Sequence, residues 1–436
     1  MKLFHTADWH LGQSFHGQGR HFEHRRFLDW LLETLVRRRP DALLIAGDIF
    51  DGVNPSLAAQ QLLYDFLVSA HERLPGLDIV MIAGNHDSGA RIELPAPMLE
   101  RLNVYARGRL RWREDGAPDC ERLLIPLTDG RGETRAWCLA LPFLRPSEVT
   151  GREAPPPAGE SPVEDDKVPA DAYVRGIARV HEALIEAGRQ RRRPGEALIA
   201  MSHAHLHGAR VSAQSERPIV IGGEESLPAT LFPEEIAYVA LGHLHRPQRV
   251  GAERIRYSGA PVAMDFSETH HVHQVLEVTL EGERLAQVES LSVPRPVEFI
   301  RIGPAPLEQV LTELETLALA ERPPDSATGH DKDDDAGRDA WPWLEVSVTL
   351  EAPRVDLRTL IEKALSNRAV RLVSLRAQVA SDKHEPLPHA PRAALDPAAL
   401  FARVWQREYG DAPPAGVMAD LNTLLQEIQD DEQERP

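Results

Sequence analysis

The 436-residue sequence contains only two cysteines, Cys120 and Cys138. Two cysteines are too few for the disulfide framework of a small secreted domain, and this pair lacks the spacing of a zinc site. Cys138 lies inside the strand-like run RAWCLAL. We therefore expect both thiols to be inert core residues.

The sequence also lacks a long hydrophobic run. No stretch approaches the roughly 20 consecutive apolar residues that a membrane-spanning helix needs. The N-terminal segment MKLFHTADWH reaches Asp8 and His10 before an apolar stretch of signal-peptide length can form. This pattern predicts a cytoplasmic protein with no membrane contact, and a hydrophobic fraction of 42% predicts a globular fold.

Positive charge is scarce, since the formal net charge is −18. That balance argues against an anionic partner such as nucleic acid. However, residues 151–171, 321–339 and 381–436 together carry −14 of the charge. Arginines also form local clusters, for which a solvated surface and a contact with DNA both remain open. The clusters are Arg37, Arg38 and Arg39; Arg107, Arg109, Arg111 and Arg113; and Arg191, Arg192 and Arg193.

The first part of the chain alternates short apolar runs with helical patterns. The runs KLFHTAD, ALLIAGD and DIVMIAGN are separated by predicted helices over residues 22–38 and 56–74. This order predicts parallel strands joined by crossover helices. Further strands and a helix over 171–189 follow, and QVLEVTL with LAQVESLSV predicts a hairpin around Glu281 and Gly282. The hairpin completes a first domain, residues 1–293.

Two further segments follow this domain. In residues 294–380, the strand-like runs EFIRI, WLEVSVTL and VRLVSLRAQV alternate with predicted helices over 306–320 and 355–366, interrupted by the acidic insert 321–339. This pattern predicts a small two-layer α+β domain. Residues 381–436 contain a Pro-rich linker and predicted amphipathic helices over 397–409 and 417–430. Their apolar stripe either packs on its own domain or binds a partner. The stripe is Leu400, Phe401, Val404 and Trp405.

Four short motifs at the ends of strand-like runs contain most of the informative polar residues. Each motif alone has an ordinary explanation, because GD and GN dipeptides are commonly turns and single histidines are commonly surface or core residues. Together they predict one site, since ligands bind at the carboxyl ends of strands in open α/β sheets. The motifs are ADWH with Asp8 and His10, AGDIFD with Asp48 and Asp51, AGNHD with Asn85, His86 and Asp87, and LGHLH with His243 and His245.

The chemistry of these side chains indicates a metal centre. Imidazole, carboxylate and one amide suit Mn²⁺, Fe²⁺ or Zn²⁺ better than Mg²⁺ or Ca²⁺. Seven candidate ligands are enough for two ions that share a carboxylate. They are one further histidine together with Asp8, His10, Asp48, Asn85, His243 and His245. Two ions about 3.5–4 Å apart clamp a phosphate and activate water, as phosphoester hydrolysis requires.

The segment MSHAHLHGA places His203, His205 and His207 at alternate positions. In a β-strand this spacing puts three imidazoles on one face. The three residues therefore form a metal-binding row, a coincidence of surface residues, or something between the two.

In their order, DxH, GDxxD, GNHD and GHxH resemble the calcineurin-like metallophosphoesterase superfamily. The runs FHTADWHLGQSFHG, LLIAGDIFDGVNPS, IAGNHDSGARIEL, YVALGHLHRPQ and RYSGAPVAMDFSE are most similar to the SbcD family of nuclease subunits. The resemblance spans residues 1 to about 270 and continues by architecture alone. It implies a four-layer α/β/β/α sandwich, a capping domain, and C-terminal helices that bind an SbcC-like coiled-coil ATPase.

The resemblance also implies a role for each site residue. His86 would face the scissile phosphate and protonate or stabilise the leaving oxygen, Asp51 would fix the tautomer of His86, and Asp87 would brace the loop. His203 would be the ligand from MSHAHLHGA, while His205 and His207 would lie on the loop that follows the strand. The first ion would be bound by Asp8, His10, Asp48 and His245, and the second by Asp48, Asn85, His203 and His243.

The function implied is that of a DNA nuclease with two divalent ions, Mn²⁺ foremost, in DNA replication, repair and recombination. It would act as an exonuclease on duplex ends and an endonuclease on single strands and hairpins, nucleoid-associated, as a homodimer within a heterotetramer. A generic phosphodiesterase or phosphatase acting on a nucleotide or protein would share every ligand, but it would not require a cap and tethered helices. An inactive scaffold is disfavoured by the complete set of ligand types.

Overall fold

The computed structural model describes residues 1–150, 170–210, 226–321 and 338–379, with isolated positions between residues 401 and 421. The chain forms two compact units, Met1–Val379 and Ala380–Pro436. Most of the second unit, with the helices predicted over 397–409 and 417–430, lies outside the described residues, as do most of the stretches 151–171 and 321–339. Of the apolar stripe, Phe401 and Trp405 are described, and their ring centroids lie 5.7 Å apart.

Strands and helices of the first unit are numbered in chain order. The strands are β1 (Lys2–Thr6), β2 (Ser14–Phe15), β3 (Gln18–Gly19), β4 (Ala42–Ala46), β5 (Asp78–Ile82), β6 (Val104–Arg107), β7 (Leu124–Thr128), β8 (Thr134–Ala140), β9 (Ala197–His203), β10 (Ile236–Gly242), β11 (Gln248–Val250), β12 (Ala252–Tyr257), β13 (Gln274–Glu281), β14 (Arg284–Ser292), β15 (Phe299–Pro306), β16 (Trp343–Leu350) and β17 (Arg371–Val379). The helices are α1 (His21–Arg38), α2 (Leu57–Arg73), α3 (Gly89–Glu93), α4 (Ala96–Leu99), α5 (Pro146–Val149), α6 (Ala170–Arg191), α7 (Leu307–Thr316) and α8 (Leu357–Ala364).

Two large sheets dominate the described part of the chain. The first has the strand order β14-β13-β1-β4-β5-β6, and the second has the order β11-β12-β10-β9-β8-β7. The central pairs β1-β4, β4-β5 and β9-β10 are parallel. The predicted hairpin is present, since β13 and β14 pair antiparallel across Glu281 and Arg284.

The sheets pack face to face because their strands are apolar on both faces. On β4, Ala42 and Leu44 lie in the core between the sheets, whereas Leu43 and Ile45 face the helices. All five residues of this strand are buried, as expected for a strand covered on both sides.

Helices cover the outer face of each sheet. Helices α1 and α2 pack on the first sheet through stripes that include Leu31 and Phe66, and the Ser56 side chain caps α2 by accepting from Ala59 N. Helix α6 packs on the second sheet through residues such as Val180 and Leu184. The predicted four-layer α/β/β/α sandwich is therefore confirmed.

A third, smaller sheet follows the sandwich. Its strands have the order β15-β16-β17 and are all parallel, and α7 and α8 cover one face through Val310 and Ile361. The helix predicted over 306–320 is shorter than expected. It ends at Thr316 because the chain then pairs with the segment after α8, where Ala369 N donates to the Ala320 carbonyl at 2.9 Å.

An aromatic cluster joins this small sheet to the sandwich. Phe299 of β15 and Trp343 of β16 contact Phe15, with ring centroids 5.2–5.4 Å apart. The buried guanidinium of Arg20 lies 5.6–5.9 Å from the centroids of the same three rings and pairs with Glu23 at 2.7 Å. Phe15 belongs to the hairpin β2-β3, which follows the candidate ligand His10 by four residues.

Within the described residues, no helix has the length and apolar composition to cross a membrane.

Candidate metal centre

Five strands of the two sheets end close to the predicted site residues. Strands β1, β4 and β5 are neighbours in the first sheet, and β9 and β10 are neighbours in the second. Because the sheets pack face to face, the carboxyl ends of these strands meet at one edge of the sandwich. The predicted ligands there are Asp8 and His10 after β1, Asp48 after β4, Asn85 after β5, His203 at the end of β9, and His243 and His245 after β10.

Two glycines allow these strand ends to approach closely. A Cβ atom on Gly47 would overlap the imidazole of His203, and a Cβ atom on Gly84 would overlap the carboxylate of Asp48. Gly47 also has a φ of +91°, which side chains rarely adopt. The glycines of the GD and GN motifs are therefore required by the packing of the site as well as by the local turns.

Four of the candidate ligands have positive φ, which is uncommon outside glycine and costs about 1–3 kcal/mol each. Cross-strand hydrogen bonds hold two of these conformations, because Asp8 N donates to Gly47 O and His10 N donates to Asp48 O, both at 3.0 Å. Among the described residues, three other non-glycine positions, His16, Arg39 and Asn103, also have positive φ, so the four candidate ligands form the larger part of this set. The φ values are +54° for Asp8, +47° for His10, +48° for Asp48 and +101° for His243.

The side-chain donor atoms form three overlapping groups, and within each group all atoms lie within 4.8 Å of one another. Asp48 belongs to two of the groups, which is the position that a bridging carboxylate requires. The groups are Asp8, His10 and His245; His10, Asp48 and His86; and Asp48, His203 and His243.

Hydrogen bonds orient the predicted ligands of the second ion. His203 Nδ1 donates to the Ala46 carbonyl at 2.9 Å, so that Nε2 carries the lone pair when the ring is neutral. This Nε2 lies 2.9 Å from Asn85 Oδ1 and 3.3 Å from Asp48 Oδ2. His243 Nδ1 lies 3.2 Å from the same Asn85 oxygen. Two imidazoles, an amide and a carboxylate thus converge on one point.

Two further atoms of the site are buried without a hydrogen bond to any described residue. They are Asp8 Oδ2 and His10 Nε2. A buried polar atom without a partner is costly, so its environment normally supplies one. Both atoms are ordinary ligands of divalent cations. The residues therefore fit a divalent metal ion.

The electrostatics of the site also favour added positive charge. Burial raises the pKa of Asp8 to about 7. Burial alone would lower the pKa of His203, but the nearby Asp48 carboxylate outweighs it and raises that pKa to about 9. Despite its own burial, Asp48 has a pKa well below the usual range because His203 and His10 face it. A proton on His203 thus balances buried negative charge, a role that a bound cation can take over.

His86 lies at the open side of this site and is only half-buried. Its backbone N donates to Asp48 Oδ1 at 2.9 Å, and its ring Nδ1 donates to the backbone carbonyl of Asp51 at 3.0 Å. The Asp51 carboxylate instead lies 3.3 Å from His10 Nδ1. Asp51 therefore does contact His86, but through its carbonyl, because its side chain points toward the neighbouring imidazole.

Asp87 has the bracing role expected from the sequence. One carboxylate oxygen accepts from Gly84 N at 2.9 Å and Ile49 N at 3.1 Å, and the other accepts from Phe50 N at 2.9 Å. These bonds tie the loop after β4 to the loop after β5. Asp87 thus holds two ligand-bearing loops together.

Sequence reasoning missed Glu268, which lies behind His245. Its side chain is fully buried, one oxygen lies 3.6 Å from His245 Nδ1, and the other accepts from Met264 N at 2.8 Å. A carboxylate in this position orients a metal-binding histidine and makes it a stronger ligand. The run MDFSE contains the residue, but no spacing connects it to His245.

The other two histidines of MSHAHLHGA lie on the loop after β9, as expected. His205 is half-buried, with its ring centroid 6.5 Å from that of His243, and His207 is exposed and contacts the Ser226 hydroxyl. The alternation therefore does not produce a row, because the strand ends at His203.

The cysteines agree with the prediction only in part. Cys138 is buried in β8, and burial raises the pKa of its thiol far above the usual range. Cys120 is only half-buried, because it begins a short 3₁₀ turn at the edge of the second sheet. Cys120 therefore packs against the core of the second sheet without being fully enclosed by it.

Similarity to known proteins identifies the family of this chain. Residues 1–247 match the family described as Calcineurin-like phosphoesterase, and residues 293–409 match the one described as Type 5 capsule protein repressor C-terminal domain. The SbcD subunit of the nuclease SbcCD from Rhodobacter capsulatus is 38% identical over 408 residues, which cover 92% of this chain and 94% of that protein. The chain belongs to the SbcD family of calcineurin-like phosphoesterases.

Other members of the SbcD family are similarly related. The SbcD protein from Escherichia coli K12 is 30% identical over 86% of this chain and 85% of its own length. The one from Bacillus subtilis is 35% identical over 67% and 69%, respectively. A dimetal phosphatase structure from Danio rerio aligns with a TM-score of 0.36 at 12% identity, over 67% of this chain and 99% of that one, and is too distant to bear on the fold.

Membership of this family confirms the resemblance and the enzyme class predicted from the motifs, a phosphodiester hydrolase of the nuclease type. The use of a divalent metal follows from the family together with the clustered ligand atoms.

Proposed function

We propose that this chain is the metal-dependent DNA nuclease subunit of a complex with an SbcC-like coiled-coil ATPase. Its relatives are named as the SbcD subunit of the nuclease SbcCD, which supports both the reaction and the partner. The observation that carries the proposal is the Asp48 carboxylate, which groups with His10 on one side and with His203 and His243 on the other. The proposed substrates are duplex ends, cut by exonuclease action, and single strands and hairpins, cut by endonuclease action.

The proposed site holds two ions. Asp48 would be the ligand shared by both ions, since its Oδ2 lies 3.6 Å from His10 Nε2 and 3.3 Å from His203 Nε2. The histidine-rich donor set favours Mn²⁺ over the purely oxygen-preferring Mg²⁺ and Ca²⁺. The proposed ligands are Asp8, His10, Asp48 and His245 for one ion and Asp48, Asn85, His203 and His243 for the other.

When bound, the two ions would neutralise the scissile phosphate and lower the pKa of water beside it. The protein residues then orient the substrate and move protons. With Nδ1 donating to the Asp51 carbonyl, His86 can present Nε2 to the substrate and give a proton to the leaving oxygen. Its half-buried position at the open side of the site leaves room for the sugar-phosphate chain.

The test compares two substrates with the purified full-length chain and Mn²⁺. We expect linear duplex DNA to be degraded more readily than a small bis-aryl phosphodiester is hydrolysed. His86→Ala should lower kcat by about 10²- to 10⁴-fold while Mn²⁺ binding persists, because general acid–base catalysis contributes about that much. Asp48→Asn should weaken Mn²⁺ binding, and His207→Ala is the matched control because His207 is exposed.

Preferential hydrolysis of the small diester would contradict the proposal and favour a generic phosphodiesterase. Unchanged cleavage by both His86→Ala and Asp48→Asn would contradict the assigned site instead.

We propose that three parts of the chain have different functions. Residues 1–293 form the nuclease domain and residues 294–380 cap it, which the start of the second family match at residue 293 supports. Residues 381–436 carry the helices for the ATPase. A homodimer within a heterotetramer and an association with the nucleoid complete the proposal.

A further inference from the structure

An arginine pocket lies on the surface beside α3 and α4. We define it by Arg107, Arg109, Arg111 and Arg122. It is an open cavity of about 570 Å³, and two carboxylates, those of Glu93 and Glu100, also line it. Four guanidinium groups against two carboxylates leave an excess of two positive charges, in a chain whose net charge is −18.

Three of these guanidinium groups share a single carboxylate. Glu93 lies 3.3 Å from Arg109, 3.2 Å from Arg111 and 4.0 Å from Arg122. It also accepts from the backbone N of Gly108 and of Arg109, both at 3.2 Å. One carboxylate can neutralise only one of the three arginines, so two positive charges stay uncompensated.

The acid and the bases of the pocket are at different depths. The Glu93 side chain is 5% exposed, whereas Arg109 and Arg111 are each 48% exposed and Arg122 is 37% exposed. The fourth arginine, Arg107, is almost buried and pairs with Glu100 at 3.0 Å. The carboxylate therefore forms the floor, from which three positively charged groups extend toward solvent.

A second arginine group shows what an ordinary surface cluster looks like in this protein. Arg189 and Arg191 lie in the last turn of α6 and Arg192 directly after it, and four glutamates pair with these three arginines. Their partners are Glu186, Glu235, Glu121 and Glu283. The arginine pocket thus carries an excess of positive charge that the group at the end of α6 does not.

The arginine pocket borders the loop that carries His86. The Ala83 N, at the start of that loop, donates to the Arg107 carbonyl at 2.9 Å. Gly108 packs so tightly on Gly89 that a Cβ atom on either residue would overlap the backbone of the other. Gly89 follows His86 by three residues, a span of about 10 Å at most. A chain of phosphates that passes His86 can therefore continue into the pocket.

We propose that the arginine pocket binds backbone phosphates of the DNA strand being cut, next to the scissile phosphate. The inference rests on the proposed nuclease function and adds to it a path for the substrate beyond the metal centre. A nucleic acid carries a charge on every nucleotide, so half-exposed guanidinium groups beside the site bind successive phosphates without reading the sequence. A small phosphodiester has no second phosphate and would not reach them.

The experiment measures the affinity for linear duplex DNA as a function of salt. A variant of the full-length chain carries Arg109→Gln, Arg111→Gln and Arg122→Gln, since glutamine can still donate a hydrogen bond to Glu93. Binding is measured by fluorescence anisotropy in EDTA, which prevents cleavage. Loss of the two uncompensated charges should lower the slope of log affinity against log salt by about 1.8. Between 50 and 200 mM salt, the wild type should therefore lose about 12-fold more affinity than the variant.

Three controls make the result specific. A triple Arg→Lys variant at the same positions keeps the charge and should keep the slope. A triple Arg→Gln variant at 189, 191 and 192 should also keep it, because acids already neutralise those arginines. Hydrolysis of the bis-aryl phosphodiester with Mn²⁺ should be unchanged in every variant, which shows that each has folded with an intact metal centre.

An unchanged salt slope in the pocket variant, with a wild type that cuts DNA, would overturn the inference and leave the proposed function standing. An equal decrease in the salt dependence of binding for the variant at 189, 191 and 192 would also overturn the inference. A wild type that hydrolyses the small diester but neither binds nor cuts DNA would contradict the proposed function itself.

Discussion

At the scale of single residues, the sequence predicted the candidate metal ligands but not the residues that hold those ligands in position. The motifs named Asp8, Asp48 and the histidines because strand-end carboxylates and imidazoles are the usual metal donors. Glu268 was missed because its partner His245 lies 23 positions earlier, and only the folded chain brings the two side chains within 3.6 Å.

We predict that Glu268→Gln weakens Mn²⁺ binding by about 10- to 100-fold, the usual cost of losing the carboxylate that orients a histidine ligand. Isothermal titration calorimetry measures the affinity directly. Glu277→Gln is a matched control, because Glu277 on β13 is also a buried carboxylate but pairs with Lys2 and Arg38 instead. Equal Mn²⁺ affinity in wild type and Glu268→Gln would show that Glu268 only anchors the Met264 backbone.

At the scale of elements, the glycines after β4 and β5 set how closely the two sheets approach at the site. We predict that Gly84→Ala destabilises the protein by about 1–3 kcal/mol and weakens Mn²⁺ binding, because the new methyl group would displace the Asp48 carboxylate. Gly76→Ala is the control, since no atom lies within 4 Å of a Cβ there. Chemical denaturation measures the stability. A Gly84→Ala protein as stable as Gly76→Ala would mean that the loop relaxes without moving Asp48.

A buried histidine connects the two sheets. His5 of β1 contacts the Tyr238 hydroxyl at 2.9 Å through Nδ1 and the Leu241 carbonyl at 3.2 Å through Nε2. Burial lowers the pKa of this imidazole to about 3 in the folded protein, against about 6.5 when unfolded. The unfolded chain therefore takes up the proton first, and acid favours unfolding between those two values.

We predict that wild type loses about 1.4 kcal/mol of stability per pH unit below pH 6.5 relative to His5→Gln, whose amide does not titrate. Urea denaturation between pH 7 and pH 5 measures the difference. His207→Gln should follow wild type, because His207 is exposed. Parallel pH profiles for wild type and His5→Gln would show that His5 is not the group that takes up the proton.

The sequence predicted elements better than their arrangement. Helix α1 and strand β4 follow clear 3.6-residue and continuous apolar patterns, which depend on local residues. The placement of β13 beside β1 depends on contacts between residues more than 270 positions apart, such as Lys2 with Thr279, and periodicity carries no information about them. The hairpin β2-β3 was missed for a different reason, since strands of two residues are too short to show alternation.

At the scale of the whole molecule, most of the net negative charge is concentrated in three stretches of the sequence. The three acidic segments carry most of the net charge, and the sandwich presents the metal centre and the arginine pocket. The aromatic cluster of Phe15, Phe299 and Trp343 fixes the small sheet to the hairpin that follows His10. The small sheet and the hairpin after the ligand loop therefore share one packed aromatic contact.

The chain beyond Val379 forms a separate compact unit. We predict that deletion of residues 380–436 abolishes co-purification with the coiled-coil ATPase, because the helices proposed to bind it lie there. Mn²⁺ binding and hydrolysis of the small diester should persist, since every proposed ligand precedes residue 246. The double variant Phe401→Ala and Trp405→Ala tests the apolar stripe without removing the segment. Unimpaired complex formation by both variants would place the ATPase contact within residues 1–379, whereas loss of Mn²⁺ binding on deletion would show that the tail supports the nuclease fold itself.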